Sequence, residues 1–391
     1  FSRDENMSLK RFFQGSRVAA VALTATFAAS VAMAQAAQKS INVTDVTGRQ
    51  VSVKAPAQKA IIAWSGSGGP FMTMSALLGK DVHKHIAGWD QGLSMHRRDM
   101  YDAYLKTVPE LAKLPVVGSP DSDDFNMEKV LALTPDVAIF PVGMKETIDA
   151  GVGKKLQDAG IPVLFIDYHA ETVENHTKST LLMGQVFGKE ARAKQLADMY
   201  AAKRKDIATR VAKAKAAGRV APKVYVEGGN KGAAGYGHTY GKGFMWGGIT
   251  EIAGGINVSA NAVGKSSGPI APEFVLQANP DIVVITGSFW PKEPASLLMG
   301  YTANDQGVQK KLGEFAARPG WNGINAIKNK RLYTIHHGLG RDLSDFTAIA
   351  AMGKYCYPEE FKDVDPMVEL RTYYKTFLPY ELSGIWFSQW K

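Results

Sequence analysis

The sequence predicts an α/β protein built from two Rossmann-like lobes that are joined by one long interlobe helix. Three observations lead to this fold class. One segment occurs twice, as EKVLALTPDVAIF at residues 128–140 and as EFVLQANPDIVVI at residues 273–285. Short apolar runs of the buried-strand type alternate with helical stretches in both halves of the chain. A single long amphipathic stretch, rich in Ala, Lys and Arg, lies between the two halves.

Residues 1–34 predict a secretory signal peptide with a few upstream residues. Three basic side chains, Lys10, Arg11 and Arg17, precede the apolar stretch VAAVALTATFAASVAMA, and Ala32 to Ala34 match an A-x-A cleavage site. The alternative is a membrane anchor, but the apolar stretch is short and weakly hydrophobic for a span of about 20 residues. No cysteine stands at the cleavage site, so we expect a soluble periplasmic protein rather than a lipid-anchored one.

The chain is basic and has a single cysteine. Its 391 residues are 45% apolar and 21% charged, which is enough material for about two domains with real cores. Residues 1–34 hold four basic and two acidic side chains, so removing them lowers the net charge from +9 to about +7. A basic periplasmic protein is not expected to meet nucleic acid, so the charge indicates an anionic ligand, a membrane surface or a solvated helix face. Cys356 cannot form an internal disulfide and is expected to be a small buried hydrophobic residue.

The N-terminal lobe is predicted to span residues 40–170. INVTDVTGRQVSV predicts a hairpin that turns at Thr47 and Gly48. KAIIAW, VAIF and VLFID are typical of buried strands, and NMEKVLAL between them is typical of a helix.

A helical connector is predicted over residues 171–218, and a second lobe over residues 219–391. The long helix should run from about Lys189 to Ala217, with Gly218 as its stop signal and Pro222 beyond it. At 1.5 Å per residue it would reach about 43 Å, enough to cross the back of two adjacent lobes. The second lobe repeats the strand pattern in KVYVEGG, DIVVITG and RLYTIHHG.

The repeated segment predicts the same helix, turn and strand in each lobe. We expect its leucine to pack on the sheet, its proline to end the helix and its aspartate to shape the turn. The repeated glutamates, Glu128 and Glu273, fall at the start of each helix, where a carboxylate interacts favourably with the helix dipole. The other repeated positions are Val130, Leu131, Pro135 and Asp136 in the first copy and Val275, Leu276, Pro280 and Asp281 in the second.

Two glycine-containing segments resemble enzyme motifs, but neither has the residues and spacing that the motif requires. SANAVGKS at 259–266 has Ser where a phosphate-binding loop needs its first Gly, and no buried strand precedes it. GSGGP at 66–70 fits neither the dinucleotide-binding spacing nor a nucleophile elbow. We therefore expect no catalytic residues. A secreted α/β enzyme is the alternative of a different class, and turnover of a substrate would support it.

Two loops that follow predicted strands carry most candidate ligand-binding residues. WDQGLSMHRRDMYDAY at 89–104 and GAAGYGHTYGKGFMW at 232–246 combine aromatic rings with histidines, and the first adds arginines. Aromatic rings supply flat apolar contact area for chelates and macrocycles, and arginines pair with carboxylate or catecholate oxygens. The alternatives are a solvated helix start, a glycine-rich surface loop and, for Trp290, a core position. With further strand ends included, the candidates are Trp64, Trp89, His96, Arg97, Arg98, Tyr101, Tyr236, His238, Tyr240, Trp246, Trp290 and Arg341.

The histidines do not predict a bare-metal site. His83 and His85 share a face of a strand-like segment, and His336 and His337 follow a predicted strand, but no third spaced histidine or paired carboxylate accompanies them. A metal would then arrive inside a chelate, whose coordination shell His96 or His238 could complete.

Several segments resemble one family of proteins. The resemblance rests on VTDVTGRQVSVKAPAQKAI, the two E..L...PD segments, EIAGGINVS at 251–259 and WNGINAIKNKRLYTI at 321–335. These segments are similar to those of periplasmic substrate-binding proteins of ABC importers for iron–siderophore, haem and cobalamin. The resemblance spans about residues 40–391. It is specific for the family and weak for the ligand.

The resemblance implies a monomeric, non-enzymatic protein with a rigid interlobe helix and a shallow cleft, which delivers a metal chelate to an ABC permease dimer in the inner membrane. It implies no resident cofactor. In the family, one glutamate per lobe meets arginines of the two permease subunits, and Glu128 and Glu273 match that place. The expected ligand is an iron-siderophore-like chelate, with haem, a corrinoid or a nickel chelate as alternatives.

Overall fold

Each half of the chain contains its own mostly parallel sheet. The computed structural model describes residues 37–66, 69–264 and 266–391. The predicted signal peptide, residues 1–34, lies outside the described residues. No helix of the described part combines the length and apolar character that a membrane span needs.

The strands fall into two main sheets and two short pairs. The first sheet has the order β4-β3-β5-β6 and is entirely parallel. The second has the order β13-β12-β11-β7-β9, in which only β13 is antiparallel to its neighbour. Their bounds are β1 Lys39–Thr44, β2 Gln50–Ala55, β3 Ala60–Ile62, β4 Ile86–Gly88, β5 Val137–Pro141, β6 Val163–Ile166, β7 Lys223–Gly228, β8 Thr239–Tyr240, β9 Ile256–Asn257, β10 Ser267–Gly268, β11 Ile282–Gly287, β12 Leu332–His336 and β13 Phe387–Gln389.

Helices cover the sheets and connect them. Their bounds are α1 Pro70–Leu78, α2 Gly92–His96, α3 Arg98–Leu105, α4 Met127–Ala132, α5 Lys145–Thr147, α6 Gly153–Asp158, α7 Val173–Phe187, α8 Glu190–Ala216, α9 Trp246–Ile252, α10 Pro272–Ala278, α11 Asp305–Ala316, α12 Asn325–Lys328, α13 Asp345–Cys356 and α14 Pro366–Phe377. The predicted fold class, two α/β lobes joined by a long helix, is confirmed.

The predicted hairpin and long helix both form. β1 pairs antiparallel with β2, and Asp45 holds the turn between them by accepting a hydrogen bond from the Thr47 backbone N–H at 2.9 Å. The interlobe helix is α8, whose 27 residues extend over about 40 Å. It packs closely on α7, since a Cβ added at Gly184 would lie only 2.3 Å from the Cβ of Ala193.

The core does not stop at the boundary between the lobes. One cluster of buried side chains runs from Val43 in the hairpin through Tyr200 on α8 to Trp386 near the C-terminus. Residues 37–391 therefore form one compact unit. The predicted lobe boundaries near residues 170 and 219 stay predictions. Cys356 is buried, as expected, and burial raises the pKa of its thiol to about 12.

The repeated segment builds the same structure twice, but its valine rather than its leucine packs on the sheet. Val130 and Val275 are fully buried, whereas Leu131 is 39% exposed and Leu276 is 37% exposed. The expectation for the leucines was wrong because neighbouring residues on a helix point about 100° apart, so only one of the pair can face the sheet.

The aspartate of each copy joins its strand to a neighbouring parallel strand of the same sheet. The backbone N–H of Asp136 donates to the Lys59 carbonyl at 2.8 Å, and its carboxylate accepts from the Lys59 N–H at 3.0 Å. Asp281 makes the same two contacts with Lys223, at 2.8 and 2.9 Å. Each copy therefore sets the parallel pairing of its lobe, β3 with β5 and β7 with β11.

Candidate ligand-binding site

A large cavity lies where the carboxyl ends of both main sheets meet. Its volume is about 1150 Å³. This is the place where open parallel sheets generally bind ligands. A side chamber of about 600 Å³ shares part of its wall. The wall common to both consists of Trp64, Met95, His96, Trp290, His337 and Arg341.

Eight of the twelve predicted ligand-binding residues line these two spaces. The main cavity is lined by Trp64, His96, Tyr236, His238, Tyr240, Trp290 and Arg341, and the side chamber adds Arg97. The two predicted loops and several strand ends thus come together from distant parts of the sequence.

The other four predicted residues lie elsewhere. Trp89 is buried in the core against Phe71, and Trp246 is fully buried at the start of α9, with its ring centroid 6.2 Å from that of His337 in the cavity wall. Arg98 is exposed and pairs with Asp102 at 2.8 Å. These placements correct the prediction, because a residue in a strand-end loop can turn toward the core or the solvent as readily as toward the cleft.

Tyr101, the last of the four, does not line either space. It is half-buried, with the Arg98 guanidinium 5.9 Å from its ring centroid and the Trp89 ring 6.5 Å away. It therefore belongs to the outer packing of α3.

Trp64 is held rigidly on the cavity wall. Its backbone has a positive φ of 54°, a strained conformation for a bulky residue. Asp90 stabilises it by accepting a hydrogen bond from the Trp64 backbone N–H at 2.7 Å, and Asp121 accepts one from the indole Nε1 at 2.8 Å. A Cβ added at Gly143 would lie 2.9 Å from the indole ring, so this position needs glycine for the ring to fit. His169 packs edge-on against the same ring at 5.2 Å.

Two arginines reach the side chamber, of which Arg97 is buried and Arg341 half-buried. Arg97 donates from Nη2 to the Gly338 carbonyl at 3.3 Å, and Arg341 donates from Nη2 to His337 Nε2 at 3.1 Å. Among the described residues, no carboxylate forms an ion pair with either one, and the buried Nε of Arg341 has no hydrogen-bond partner. Burial, with a contribution from Arg97, lowers the pKa of Arg341 to about 10, so the guanidinium remains charged at neutral pH.

His337 is neutral and oriented by its neighbours. Its Nε2 accepts the hydrogen bond from Arg341, so its Nδ1 carries the proton and lies 2.9 Å from the Thr286 hydroxyl. Burial, reinforced by the charge of Arg341, lowers its pKa well below the ordinary value. His337 therefore holds Arg341 in place instead of offering a free nitrogen to a metal.

The other cavity histidines do not form a metal centre. Burial lowers the pKa of His169 to about 3, and burial also lowers the pKa of His96. Within the described part of the chain, the cavity gathers no three His, Cys, Asp or Glu ligand atoms closely enough to hold one ion. A role for His96 or His238 in completing the shell of a chelated metal stays a prediction.

A buried ion pair that the sequence prediction missed shapes the second loop of the cavity. Arg318 pairs with Glu227 through two hydrogen bonds of 2.8 Å, and its guanidinium stacks 4.1 Å from the ring centroid of Tyr236. Glu227 also accepts from the Gly237 N–H at 2.9 Å. The available signal was a glutamate inside the apolar strand KVYVEGG, since a buried carboxylate requires a partner.

The segment that carries Arg97 is fixed to the other half of the molecule. Asp99 accepts a hydrogen bond from the Tyr301 backbone N–H at 2.7 Å. The hydroxyls of Tyr104 and Tyr374 lie 3.0 Å apart, and the Tyr104 ring stacks on Tyr380 at 3.7 Å. The two halves are thus connected beside the cavity as well as through α8.

Asp99 is expected to make the stability depend on pH. Burial raises its pKa from 3.8 to about 6, although the Tyr301 N–H and the charge of Arg97 oppose the shift. Because the folded pKa is raised, the favourable contribution is fully present below about pH 4 and is lost as the pH rises through about 6, a change on the order of 3 kcal/mol. Asp99→Asn should flatten this part of the curve. Urea unfolding of both proteins at pH 4, 5, 6 and 7 measures the difference, and parallel curves would contradict the expectation.

The chain belongs to the periplasmic binding protein family, whose pattern matches residues 76–338. It is 43% identical to the TroA-like periplasmic binding protein FepB from Veillonella parvula, with a TM-score of 0.85 over 90% of this chain and 100% of that one. It is 26% identical to the molybdate-binding protein MolA from Haemophilus influenzae over 358 residues, 86% of this chain and 90% of the relative. CeuE from Helicobacter pylori with bound Ni(II) is 19% identical and shares the fold, with a TM-score of 0.61 over 86% of this chain and 95% of that one.

The family gives the class of the protein. It is a solute-binding protein of an ABC importer, which binds a small ligand and works with a permease, and it is not an enzyme. The resemblance found in the sequence is confirmed at this level. The homologues of this chain are periplasmic binding proteins, which agrees with the predicted localisation.

Proposed function

We propose that this protein captures an anionic metal chelate of the iron–siderophore type and delivers it to an ABC permease. The observation that carries the proposal is the pair Arg97 and Arg341, a buried and a half-buried guanidinium group on the wall of the side chamber, neither of which forms an ion pair with a described carboxylate. Unpaired buried cations are costly, so a ligand that supplies the missing negative charge gains binding energy from them.

The size and lining of the cavity favour an organic chelate over a bare oxyanion. A tetrahedral oxyanion fills the space of a few water molecules, roughly 100 Å³, whereas the cavity measures about 1150 Å³. Trp64, Tyr236 and Trp290 add aromatic surface that a bare oxyanion cannot use. Both features suit a ligand with an apolar or aromatic body and anionic groups.

Quenching of tryptophan fluorescence tests the proposal. The mature protein is titrated with ferric siderophores of different charge, haem, cobalamin, nickel–histidine and molybdate. We expect saturable quenching by anionic ferric chelates. Gallium chelates of the same siderophores should compete with equal affinity, because the described cavity residues offer no set of three metal ligands.

Matched variants identify the source of the signal. Replacing Trp64 and Trp290 by phenylalanine should remove most of the quenching, whereas Trp390→Phe, outside the cavity lining, should leave it unchanged. Binding of haem alone with a shift of its Soret band, or of molybdate alone, would overturn the proposal.

The permease partner is proposed to recognise Glu128 and Glu273. Each is the second residue of its helix, α4 or α10, and each is exposed. Neither forms an ion pair or a side-chain hydrogen bond with any described residue. The two carboxylates therefore occupy equivalent places on the two lobes and are free to meet basic side chains of a two-fold partner. Export through a cleavable signal peptide and a monomeric state belong to the same proposal.

A further inference from the structure

A second group of functional side chains lies outside the cavity, where the helices of the two halves meet. Glu171 precedes α7, His176 is on the first turn of α7, and Asp345 begins α13. We call these three residues the helix-junction cluster. Glu171 is 5% exposed and the other two are fully buried, and one ligand atom from each lies within 4.8 Å of the others.

His176 is oriented as a metal-binding histidine is. Its Nδ1 lies 2.9 Å from the Thr172 carbonyl, to which it donates, and this leaves Nε2 pointing at Asp345, 2.8 Å from Oδ2. The Tyr200 ring stacks on the imidazole at 5.0 Å, with the two planes only 1° apart. A backbone carbonyl that fixes the tautomer and a ring held by stacking are the outer contacts that position metal ligands.

Three of the four carboxylate oxygens of the cluster lack a hydrogen bond. Both oxygens of Glu171 and Oδ1 of Asp345 are buried without a hydrogen bond. Arg204 is near, but its guanidinium donates to the Tyr200 hydroxyl and to the backbone carbonyl of Glu171. Two buried carboxylates that face each other repel and are costly to desolvate, so binding of a cation between them and the imidazole would be favoured.

We propose that Glu171, His176 and Asp345 bind a divalent transition-metal ion of the Zn²⁺ type. Two carboxylates and one imidazole are a ligand set that Zn²⁺ accepts. The Tyr200 hydroxyl, 3.1 Å from Asp345 Oδ2, is placed to supply a fourth oxygen, and Arg204 on its other side would stabilise the phenolate.

The charges of such a site balance. Two carboxylates and one phenolate offset one guanidinium and one divalent ion, which leaves this fully buried region neutral. The ion would connect α7 with α13 directly above α8, and so fix the angle between the two halves. None of the three cluster residues lines the ligand cavity, so the site is independent of the proposed chelate.

Metal analysis of refolded protein tests the inference. The cluster is buried, so the ion is best supplied during folding: the mature protein is unfolded in EDTA, refolded with Zn²⁺ or Co²⁺ or with no metal, and freed of loose metal by gel filtration. We expect about one equivalent of bound metal, a higher melting temperature for the metal-loaded protein, and visible Co²⁺ absorption bands.

Isosteric variants locate the metal. Glu171→Gln with Asp345→Asn keeps the volume of both side chains and should lower metal retention at least tenfold, while His83→Gln, which removes a histidine from the surface, should not. Absence of retained metal in the wild type, or equal retention in the double variant, would overturn the inference. So would loss of the metal in His238→Gln, because that result would place the ion in the cavity. A metal-free wild type whose stability loses its pH dependence in Glu171→Gln would show that a shared proton occupies the cluster instead.

Discussion

Changing Arg97 and Arg341 together to alanine should weaken binding of an anionic chelate by about 3–6 kcal/mol. Each arginine is expected to make one charge-assisted contact of about 1.5–3 kcal/mol. The combined loss corresponds to a roughly 10²- to 10⁴-fold increase in Kd. Isothermal titration with whichever ferric chelate binds best measures the effect for each single variant and for the pair.

The same variants separate binding from folding. Arg97 offsets the charges of the buried Asp99 and Asp342, so Arg97→Ala should lower the melting temperature of the ligand-free protein. Arg341 offsets no such carboxylate, so Arg341→Ala should leave the melting temperature nearly unchanged. Arg98→Ala is the matched control, because Arg98 pairs with Asp102 on the surface and should leave Kd unchanged. Wild-type affinity in the double variant would refute the anionic-ligand proposal.

Changing Glu128 and Glu273 together to alanine should abolish ligand uptake while leaving the ligand affinity unchanged. The two glutamates lie on α4 and α10, away from the cavity lining, so binding has no reason to change. In the proposed docking on a two-fold permease, the variant would lose one ion pair per lobe, and the two losses would reinforce each other because both lobes must engage at once. Uptake of the labelled chelate by cells that carry only the variant, together with co-purification of the permease, measures the outcome.

A second explanation of the repeated glutamates makes a different prediction. If they only stabilise the helix start, the double variant should lose about 0.3–1 kcal/mol of stability per site and keep its transport. The control is Glu110→Ala with Glu359→Ala, which removes two exposed carboxylates elsewhere on the surface. Normal uptake by the Glu128 and Glu273 double variant would leave helix stabilisation as the better account.

The sequence by itself determined the fold class, the repeated unit and the long helix. These features depend on local sequence patterns. Alternating apolar runs specify buried strands, a 3.6-residue periodicity specifies α8, and the Pro-Asp pair marks the same turn twice. The α8 bounds of Glu190–Ala216 lie within one residue of the predicted 189–217 at each end, since the helical pattern and the glycine stop signal are also local.

Only the tertiary structure decided which side chains meet. Trp64 and Trp290 face the cavity while Trp89 and Trp246 are in the core, although all four aromatic rings were equally plausible in sequence. Val130 rather than its neighbour Leu131 is buried, because the choice depends on how the helix is rotated against its sheet. The direction in which each of these side chains points is set by packing between segments that are distant in sequence.

The pairing of buried charges shows the same limit most clearly. Glu227 pairs with Arg318, and Glu171 lies beside Asp345, across long stretches of chain. A carboxylate within an apolar segment indicates from the sequence only that it needs a partner, because desolvating its charge is costly wherever it is buried. Which residue compensates it follows from the three-dimensional arrangement, because Coulomb interactions and hydrogen bonds depend on distance in space rather than on distance along the chain.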